Sequence, residues 1–259
     1  MEVGLGGKVV LVTGGTQGVG AAIARLCARS GAEGVAILGR DARKAERELA
    51  ALREAGTEAL FVAADLLDAQ APGRAVAEVL GRFGRIDGLV NAAGLTDRGD
   101  FLDADLALWE RLFALNARAP FFLMQGAIRD MRSRGAPGAI VNVLSMNAHA
   151  GIPELAVYSG TKGALATLTK NAAHAHLRDR IRVNGIMMGW AATPAEREMQ
   201  ARTLGRGEGW EEEVARGMPL ARLLTAEEVA NLAVFLLSDA SGLMTGALID
   251  LEQRVTGAP

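Results

Sequence analysis

Only one cysteine, Cys27, occurs in 259 residues, so no disulfide can form within the chain. It lies in an apolar helical pattern and reads as a small core residue. Histidine is scarce too. His174 and His176 are two apart on an expected helix and point to different faces, and no grouping of Cys, His and carboxylates has zinc spacing, so no metal site is expected. Neither sign of charge dominates: 28 Lys and Arg stand against 30 Asp and Glu. A basic face for nucleic acid or anionic lipid is therefore not advertised. No apolar run approaches the roughly 20 residues that cross a bilayer. Residues 1–8 lack the cationic-then-apolar order of a secretory signal, and a soluble cytoplasmic protein is expected. There is no linker, repeat or low-complexity segment. With 50% apolar and 22% charged residues, the length fits one α/β domain over residues 1–259 with a full core.

Aromatics make up only 4%, and Tyr158 is the single tyrosine. It stands in Ser145–Lys162 (SMNAHAGIPELAVYSGTK), thirteen residues after Ser145 and four before Lys162. On a helix, that spacing of four stacks Tyr158 and Lys162 on one face. A free phenol has a pKa of about 10 and is a poor base near neutrality. A neighbouring ammonium favours the phenolate, so Lys162 is expected to lower the Tyr158 pKa into the range of an acid/base catalyst. Ser145 closes the apolar run Ala139–Leu144, a buried strand, and ligands of α/β sheets gather at strand ends. The trio suits removing a proton from an alcohol or giving one to a carbonyl.

The N-terminal region carries an independent signal. Lys8–Thr13 reads as a buried strand, followed by Gly14-Gly15-Thr16-Gln17-Gly18-Val19-Gly20 and a helix over Ala21–Ser30. Glycines let the backbone approach a pyrophosphate, and the helix N-terminus offers it free N–H groups, as in dinucleotide sites. A second strand, Gly34–Leu38, ends at Gly39-Arg40, and Asp41 reads as the N-cap of a helix over Ala42–Ala55. An acid at that strand's end binds a free ribose 2′-hydroxyl, and a guanidinium accommodates a 2′-phosphate. Gly39 followed by Arg40 favours NADP(H); NAD(H), served by Asp41 or backbone groups, is the alternative. Further strands are expected at Glu58–Ala64, ending at Asp65-Leu66 where the adenine can lie, and at Ile86–Val90, followed by Asn91-Ala92-Ala93-Gly94. Helices are expected over Asp68–Phe83 and over Leu106–Arg134, the latter kinked at Pro120 and holding Asn116, a poor helix former. After Lys162 the helix continues to about Leu177. Ile181–Met188 is the sixth strand; Gly189 and Thr193 begin a polar stretch, about 190–217, that reads as a substrate lid. Thr225–Leu237 forms a helix with a Thr225/Glu228 capping box, and Ala247–Leu251 completes seven strands. Alternation of strand and helix gives a parallel sheet with helices on both faces.

Taken in order, Thr13–Gly20, Asn91-Ala92-Ala93-Gly94, Asn116, Ser145, Tyr158-Ser159-Gly160-Thr161-Lys162 and Arg182-Val183-Asn184 closely resemble the short-chain dehydrogenase/reductase family, in its small single-domain branch. The resemblance runs from about Lys8 to Asp250. It implies a Rossmann-type doubly wound fold, a nicotinamide cofactor and a homo-oligomer, a tetramer or a dimer. By the same resemblance Tyr158 is the acid/base, Lys162 also bonds the nicotinamide ribose, Ser145 holds the substrate oxygen, Asn116 keeps a water in a proton relay, and Thr193 bonds the nicotinamide carboxamide. Three positions depart from the pattern: Ala92 replaces an asparagine, Met188-Gly189 replaces Pro-Gly, and Asp250-Leu251-Glu252 replaces Asp-Gly-Gly. The segment continuing through Gln253 and Arg254 borders its own pocket, a neighbour's, or solvent. Asn147, His149, Glu154, Leu95, Thr96 and Trp190 are pocket positions or turn residues; as pocket residues their polarity favours a small sugar- or polyol-like substrate over a steroid. The rival readings are a 3-oxoacyl-carrier-protein-type reductase and, in another class, a non-catalytic dinucleotide sensor or scaffold.

Overall fold

The computed structural model describes residues 3–149, 151–207 and 209–256. Five short β-branched runs and two edge strands make one seven-stranded sheet. In chain order these are β1 (Val9–Thr13), β2 (Gly34–Gly39), β3 (Glu58–Ala63), β4 (Gly88–Asn91), β5 (Gly138–Val143), β6 (Ile181–Met188) and β7 (Leu248–Leu251). Every pairing is parallel, in the order β3-β2-β1-β4-β5-β6-β7. Parallel neighbours require crossovers, and these are supplied by helices that cover both faces. Along β1 the side chains alternate: Val9 and Leu11 join one core layer, Val10 and Val12 the other. All four are buried, which is why the strand is apolar without alternation.

After β3 the chain returns to the middle and starts outward again, so β1 and β4 lie side by side with crossovers leaving in opposite directions. Thr13 pairs with Leu38 on one side and Asn91 on the other, and Asn91 pairs with Asn142. The carboxyl ends are thus level across the switch point, where such sheets place ligands. The helices of the first half are α1 (Gly18–Arg29), α2 (Ala42–Glu54) and α3 (Ala71–Phe83). The Asp41 cap on α2 is present: its carboxylate accepts from Arg43 N (2.9 Å) and Lys44 N (3.2 Å). α3 starts three residues later than expected because Asp68 takes the Gln70 N–H (2.9 Å) and holds that stretch as a turn.

The expected helix over 106–134 is present to Ser133, but it changes pitch: α4 (Leu106–Phe113) runs into α5 (Ala119–Ser133) through a π-turn, Ala114–Arg118. The irregularity is thus centred on Asn116, and Pro120 follows directly, where the π-turn has already shifted the hydrogen-bond ladder that its missing N–H interrupts. The widened turn is closed by the Ala119 N–H on the Ala114 carbonyl, five residues back. α6 (Ala156–Ala175) carries Tyr158 and Lys162. The polar stretch after β6 contains α7 (Pro194–Glu198), a π-turn (Met199–Thr203) and α8 (Trp210–Arg216). α9 (Ala226–Leu237) begins with the expected capping box. Among the described residues no helix is long and apolar enough to cross a membrane.

A buried polar chain fixes the middle of the sheet to α6. Asn91 Nδ2 donates to Asn142 Oδ1 (2.8 Å), Asn142 Nδ2 donates to Thr169 Oγ1 (2.8 Å), and Thr169 Oγ1 donates to the Leu165 carbonyl (2.7 Å). Asn142→Ala strands the Asn91 amide in the core, and leaving a buried donor unpaired costs about 1–3 kcal/mol. A lower urea midpoint at unchanged slope is the expected result; an unchanged midpoint means the chain contributes nothing to stability.

Candidate active site

The glycine-rich crest follows β1. Gly14 has φ +66°, and a Cβ there would stand 3.0 Å from the Ala93 backbone. A Cβ on Gly20 would lie 2.3 Å from the Gly14 carbonyl oxygen. No side chain fits either place, so the crest is bare backbone. Thr13 Oγ1 accepts the N–H groups of Ala92 (3.0 Å) and Ala93 (3.1 Å), tying this crest to the end of β4. α1 opens with Gly18, Val19 and Gly20; Gln17 makes no side-chain cap, and no acid stands in the first turn. Its first N–H groups therefore face the crest without an internal partner, the arrangement that receives phosphate. Asn91 Oδ1 is buried with no partner among the described residues. A bare cradle, an uncapped helix start and an orphaned acceptor fit a dinucleotide.

Around it the remaining expected cofactor positions fall into place unevenly. Arg40 is exposed just beyond β2. The carboxylate of Asp41 is committed to capping α2, so it offers the ribose less than the sequence suggested. Asp65 Oδ1 accepts from Leu67 N (3.0 Å) in a tight turn, and Leu66 is buried in the core. Gly94 lies between two polar groups: a Cβ there would be 3.4 Å from Asn116 Oδ1 and 3.6 Å from Lys162 Nζ. Thr193 caps α7 by accepting the Glu196 N–H (3.2 Å), and its side chain lies close over Gly18. Gly189 is covered by the Glu252 carboxylate; a Cβ on Gly189 would stand 2.1 Å from Glu252 Oε2.

Asn116, Ser145, Tyr158 and Lys162 are all buried. The π-turn aims Asn116 inward, where Oδ1 accepts from Leu95 N (2.9 Å) and Nδ2 donates to the Leu95 carbonyl (2.9 Å) and to Thr161 Oγ1 (3.1 Å). Thr161 Oγ1 in turn donates to the Tyr158 carbonyl (2.6 Å). Ser145 Oγ accepts the Asn147 N–H (3.2 Å) and stands on the Tyr158 side of the site, where it favours the phenolate. Lys162 Nζ donates to the Val143 carbonyl at 2.9 Å, the end of β5, and lies 5.8 Å from the centre of the Tyr158 ring. Here the structure corrects the sequence expectation. Burial pushes the phenol up to about 12, with the Ser145 hydroxyl opposing and the Glu196 carboxylate assisting. Burial pulls the Lys162 ammonium down to about 8. Desolvation of the buried phenol thus outweighs any help that Lys162 gives the phenolate.

Glu196 is a residue that the sequence reading missed. Its Oε1 accepts from Trp190 Nε1 (2.9 Å) and Gln200 Nε2 (2.7 Å). The available signal was the Thr-x-x-Glu pattern at Thr193–Glu196, a capping motif. Trp190 stacks on the buried Trp210, ring centres 5.9 Å apart, so it braces this segment and orients Glu196. His149 Nε2 pairs with Asp250 Oδ1 at 2.9 Å, joining the loop after β5 to the end of β7. Asn147 is half-buried next to Ser145, whereas Glu154 is exposed and its carbonyl accepts from Gly99 N (2.9 Å). The C-terminal segment borders its own chain's pocket region. Gln253 accepts from Leu220 N (2.8 Å) and donates to the Arg222 carbonyl (2.6 Å), and Arg254 donates to the Gly217 carbonyl (3.0 Å).

The chain is similar to known proteins over nearly its whole length. A family model described as enoyl-(acyl carrier protein) reductase matches residues 14–252. The chain is 34% identical over 251 residues to 2-(S)-hydroxypropyl-CoM dehydrogenase 3 of Xanthobacter autotrophicus, covering 96% of each. It is 35% identical over 238 residues to sorbitol dehydrogenase of Cereibacter sphaeroides, covering 90% of this chain and 91% of that protein. Among solved structures, L-sorbose reductase from Gluconobacter frateurii, complexed with NADPH and L-sorbose, superposes with a TM-score of 0.92 at 30% identity over 100% of both chains.

The buried amine has a thermodynamic signature. Its pKa is about 8 when folded against 10.5 for a free lysine, so between those pH values the unfolded chain binds more protons. Stability from this group therefore rises with pH across that window. Lys162→Met lacks the rise: the melting temperature of the variant minus that of wild type should fall between pH 7.5 and 9.5. A difference independent of pH means that Lys162 is not desolvated as described.

Proposed function

Because the chain belongs to the short-chain dehydrogenase/reductase family and is an alcohol dehydrogenase/ketoreductase that uses NAD(P), we propose that it interconverts a secondary alcohol and a ketone on a small polyhydroxylated substrate, with NADP(H) preferred. The reading is carried by one observation: Asn116, Ser145, Tyr158 and Lys162 meet at the carboxyl edge of the sheet, beside the bare glycine crest. The bound nicotinamide nucleotide supplies the hydride chemistry. Ser145 Oγ holds the substrate oxygen beside the Tyr158 hydroxyl. The raised phenol keeps its proton at neutral pH, the form that protonates the oxygen of a ketone as it becomes an alcohol. In the opposite direction the phenolate is needed, and Lys162 serves it by leaving the Val143 carbonyl. Asn116 holds the Leu95 backbone and, through Thr161, the turn of α6 that bears Tyr158. A silent sensor would have no use for this convergence.

Residues 1–259 serve as one dinucleotide-binding domain, with about 190–217 as its lid over the crest. The polyol reading is supported by sorbitol and sorbose relatives and by the polar Asn147, His149 and Glu196 nearby. NADP(H) is supported by Gly39 in the place of the ribose acid, by Arg40 beyond it, and by the diversion of Asp41 to its cap. The exposed apolar side chains of Leu106, Trp109, Phe121 and Phe122 on α4 and α5 support a homo-oligomer.

A panel of polyols, aldoses and ketones, followed by absorbance of the reduced nicotinamide with either cofactor, tests this reading. Tyr158→Phe should abolish turnover on whichever substrate responds while nucleotide binding stays within about twofold; retained turnover removes Tyr158 from the chemistry. Arg40→Ala should weaken NADPH about tenfold or more, the scale of a lost charge-assisted bond, and leave NADH nearly unchanged. Equal losses for both nucleotides overturn the cofactor preference.

A further inference from the structure

We propose that Glu196 is the specificity-determining group of the substrate site: its free carboxylate oxygen accepts a second, non-reacting hydroxyl of the substrate, and its charge turns away substrates that carry a carboxylate, sulfonate or phosphate. The inference deepens the reading of a polyhydroxylated substrate and rests on it.

Local sequence sets the carboxylate in place. Thr193 Oγ1 accepts the Glu196 N–H (3.2 Å) and so starts α7. Trp190 Nε1 and Gln200 Nε2 then both donate to Glu196 Oε1, at 2.9 and 2.7 Å. Trp190 is stacked on Trp210 and Gln200 is buried, so neither donor is free to swing away. Two donors on one oxygen fix the carboxylate and leave Oε2 with no partner among the described residues. α7 also divides two spaces. Pro194 and Arg197 line a cavity of about 820 Å³ that reaches Gln17 and Gly18 at the glycine crest. Trp190, Glu196 and Gln200 do not line it; they lie on the inner side of α7, where the Glu196 charge bears on the Tyr158 phenol.

An ionised carboxylate only accepts hydrogen bonds, so Oε2 calls for a donor. The cations of this segment are engaged elsewhere: Arg197 pairs with Glu211 (2.8 Å) and Arg206 with Glu213 (3.3 Å), both acids on α8. Lys162 is turned to the Val143 carbonyl, and His149 is paired with Asp250. Among the described residues no cation cancels the charge of Glu196. A substrate whose reacting oxygen lies at Ser145 and Tyr158 therefore carries its neighbouring groups into the field of an acceptor. A hydroxyl there gains a charge-assisted bond, and an anion meets repulsion in a half-buried site where water screens it poorly. Trp190 and Gln200 are positioning residues, acting through Glu196.

The test is kcat/KM for the best polyhydroxylated substrate, for its deoxy analogue without the neighbouring hydroxyl, and for its carboxylate analogue, on wild type, Glu196→Gln and Glu196→Ala. If wild type turns over no polyhydroxylated substrate, the polyol reading itself fails, and the carboxylate comparison is made on whichever secondary alcohol or ketone reacts. Glu196→Gln keeps an acceptor for Trp190 and loses the charge. It is expected to raise the carboxylate analogue about tenfold or more relative to the neutral substrate. Glu196→Ala is expected to lose about tenfold or more on the hydroxylated substrate and little on its deoxy analogue, the scale of a hydrogen bond to a charged group. In Glu196→Gln the rise of alcohol oxidation with pH should also move to lower pH, because the carboxylate holds the phenol up; a merely structural Glu196 leaves that limb in place. The proposal is overturned if Glu196→Gln, with melting temperature and nucleotide affinity unchanged, leaves the carboxylate-to-neutral ratio where it was. Equal losses by Glu196→Ala on the hydroxylated and deoxy substrates overturn it as well. Should Glu196→Ala fail to fold, Glu196→Asp, which keeps the charge and withdraws the oxygen, must lose the hydroxyl preference and keep the exclusion of anions.

Discussion

Everything at the candidate active site hangs on a buried carboxamide. Asn116 is fully buried, and its two polar atoms clamp both the N–H and the carbonyl of Leu95 while reaching Thr161 on α6. An asparagine in regular helix would point along a helix face and weaken it. The π-turn supplies the extra residue that swings it inward, at the cost of one regular helical turn. The loop after β4, the α4–α5 junction and the start of α6 are thereby locked together, and the distance between the glycine crest and Tyr158 follows from that lock.

Burial and charge are opposed at the reacting centre. Tyr158 and Lys162 share one face of α6, yet the ammonium turns to the Val143 carbonyl at the end of β5. Both groups are held away from their charged forms by desolvation, the phenol raised and the amine lowered. A cation near a phenol does not by itself decide its acidity; where the phenol is buried, desolvation can outweigh the cation. Glu196, anchored by Trp190 and Gln200, adds a negative field on the same phenol. The segment that bears Glu196 is braced at both ends, by the Trp190–Trp210 stack and Glu252 over Gly189 at one and by Gln253 and Arg254 at 217–222 at the other.

Much of this was legible in the order of residues. The apolar runs of β1, β2 and β6, the glycine-rich turn after β1, the Asp41 and Thr225 caps and the one-turn spacing of Tyr158 and Lys162 are local features, decided by propensity, backbone freedom and helical periodicity. They determined the parallel α/β sheet, the dinucleotide crest and the identity of the phenol and amine. What tertiary structure decided depends on partners distant in the chain. The π-turn at Asn116 answers to Leu95 and Thr161, and the direction of the Tyr158 shift answers to its burial and to Glu196. No window of sequence contains both members of such pairs, because desolvation and close packing exist only once the chain has brought them together.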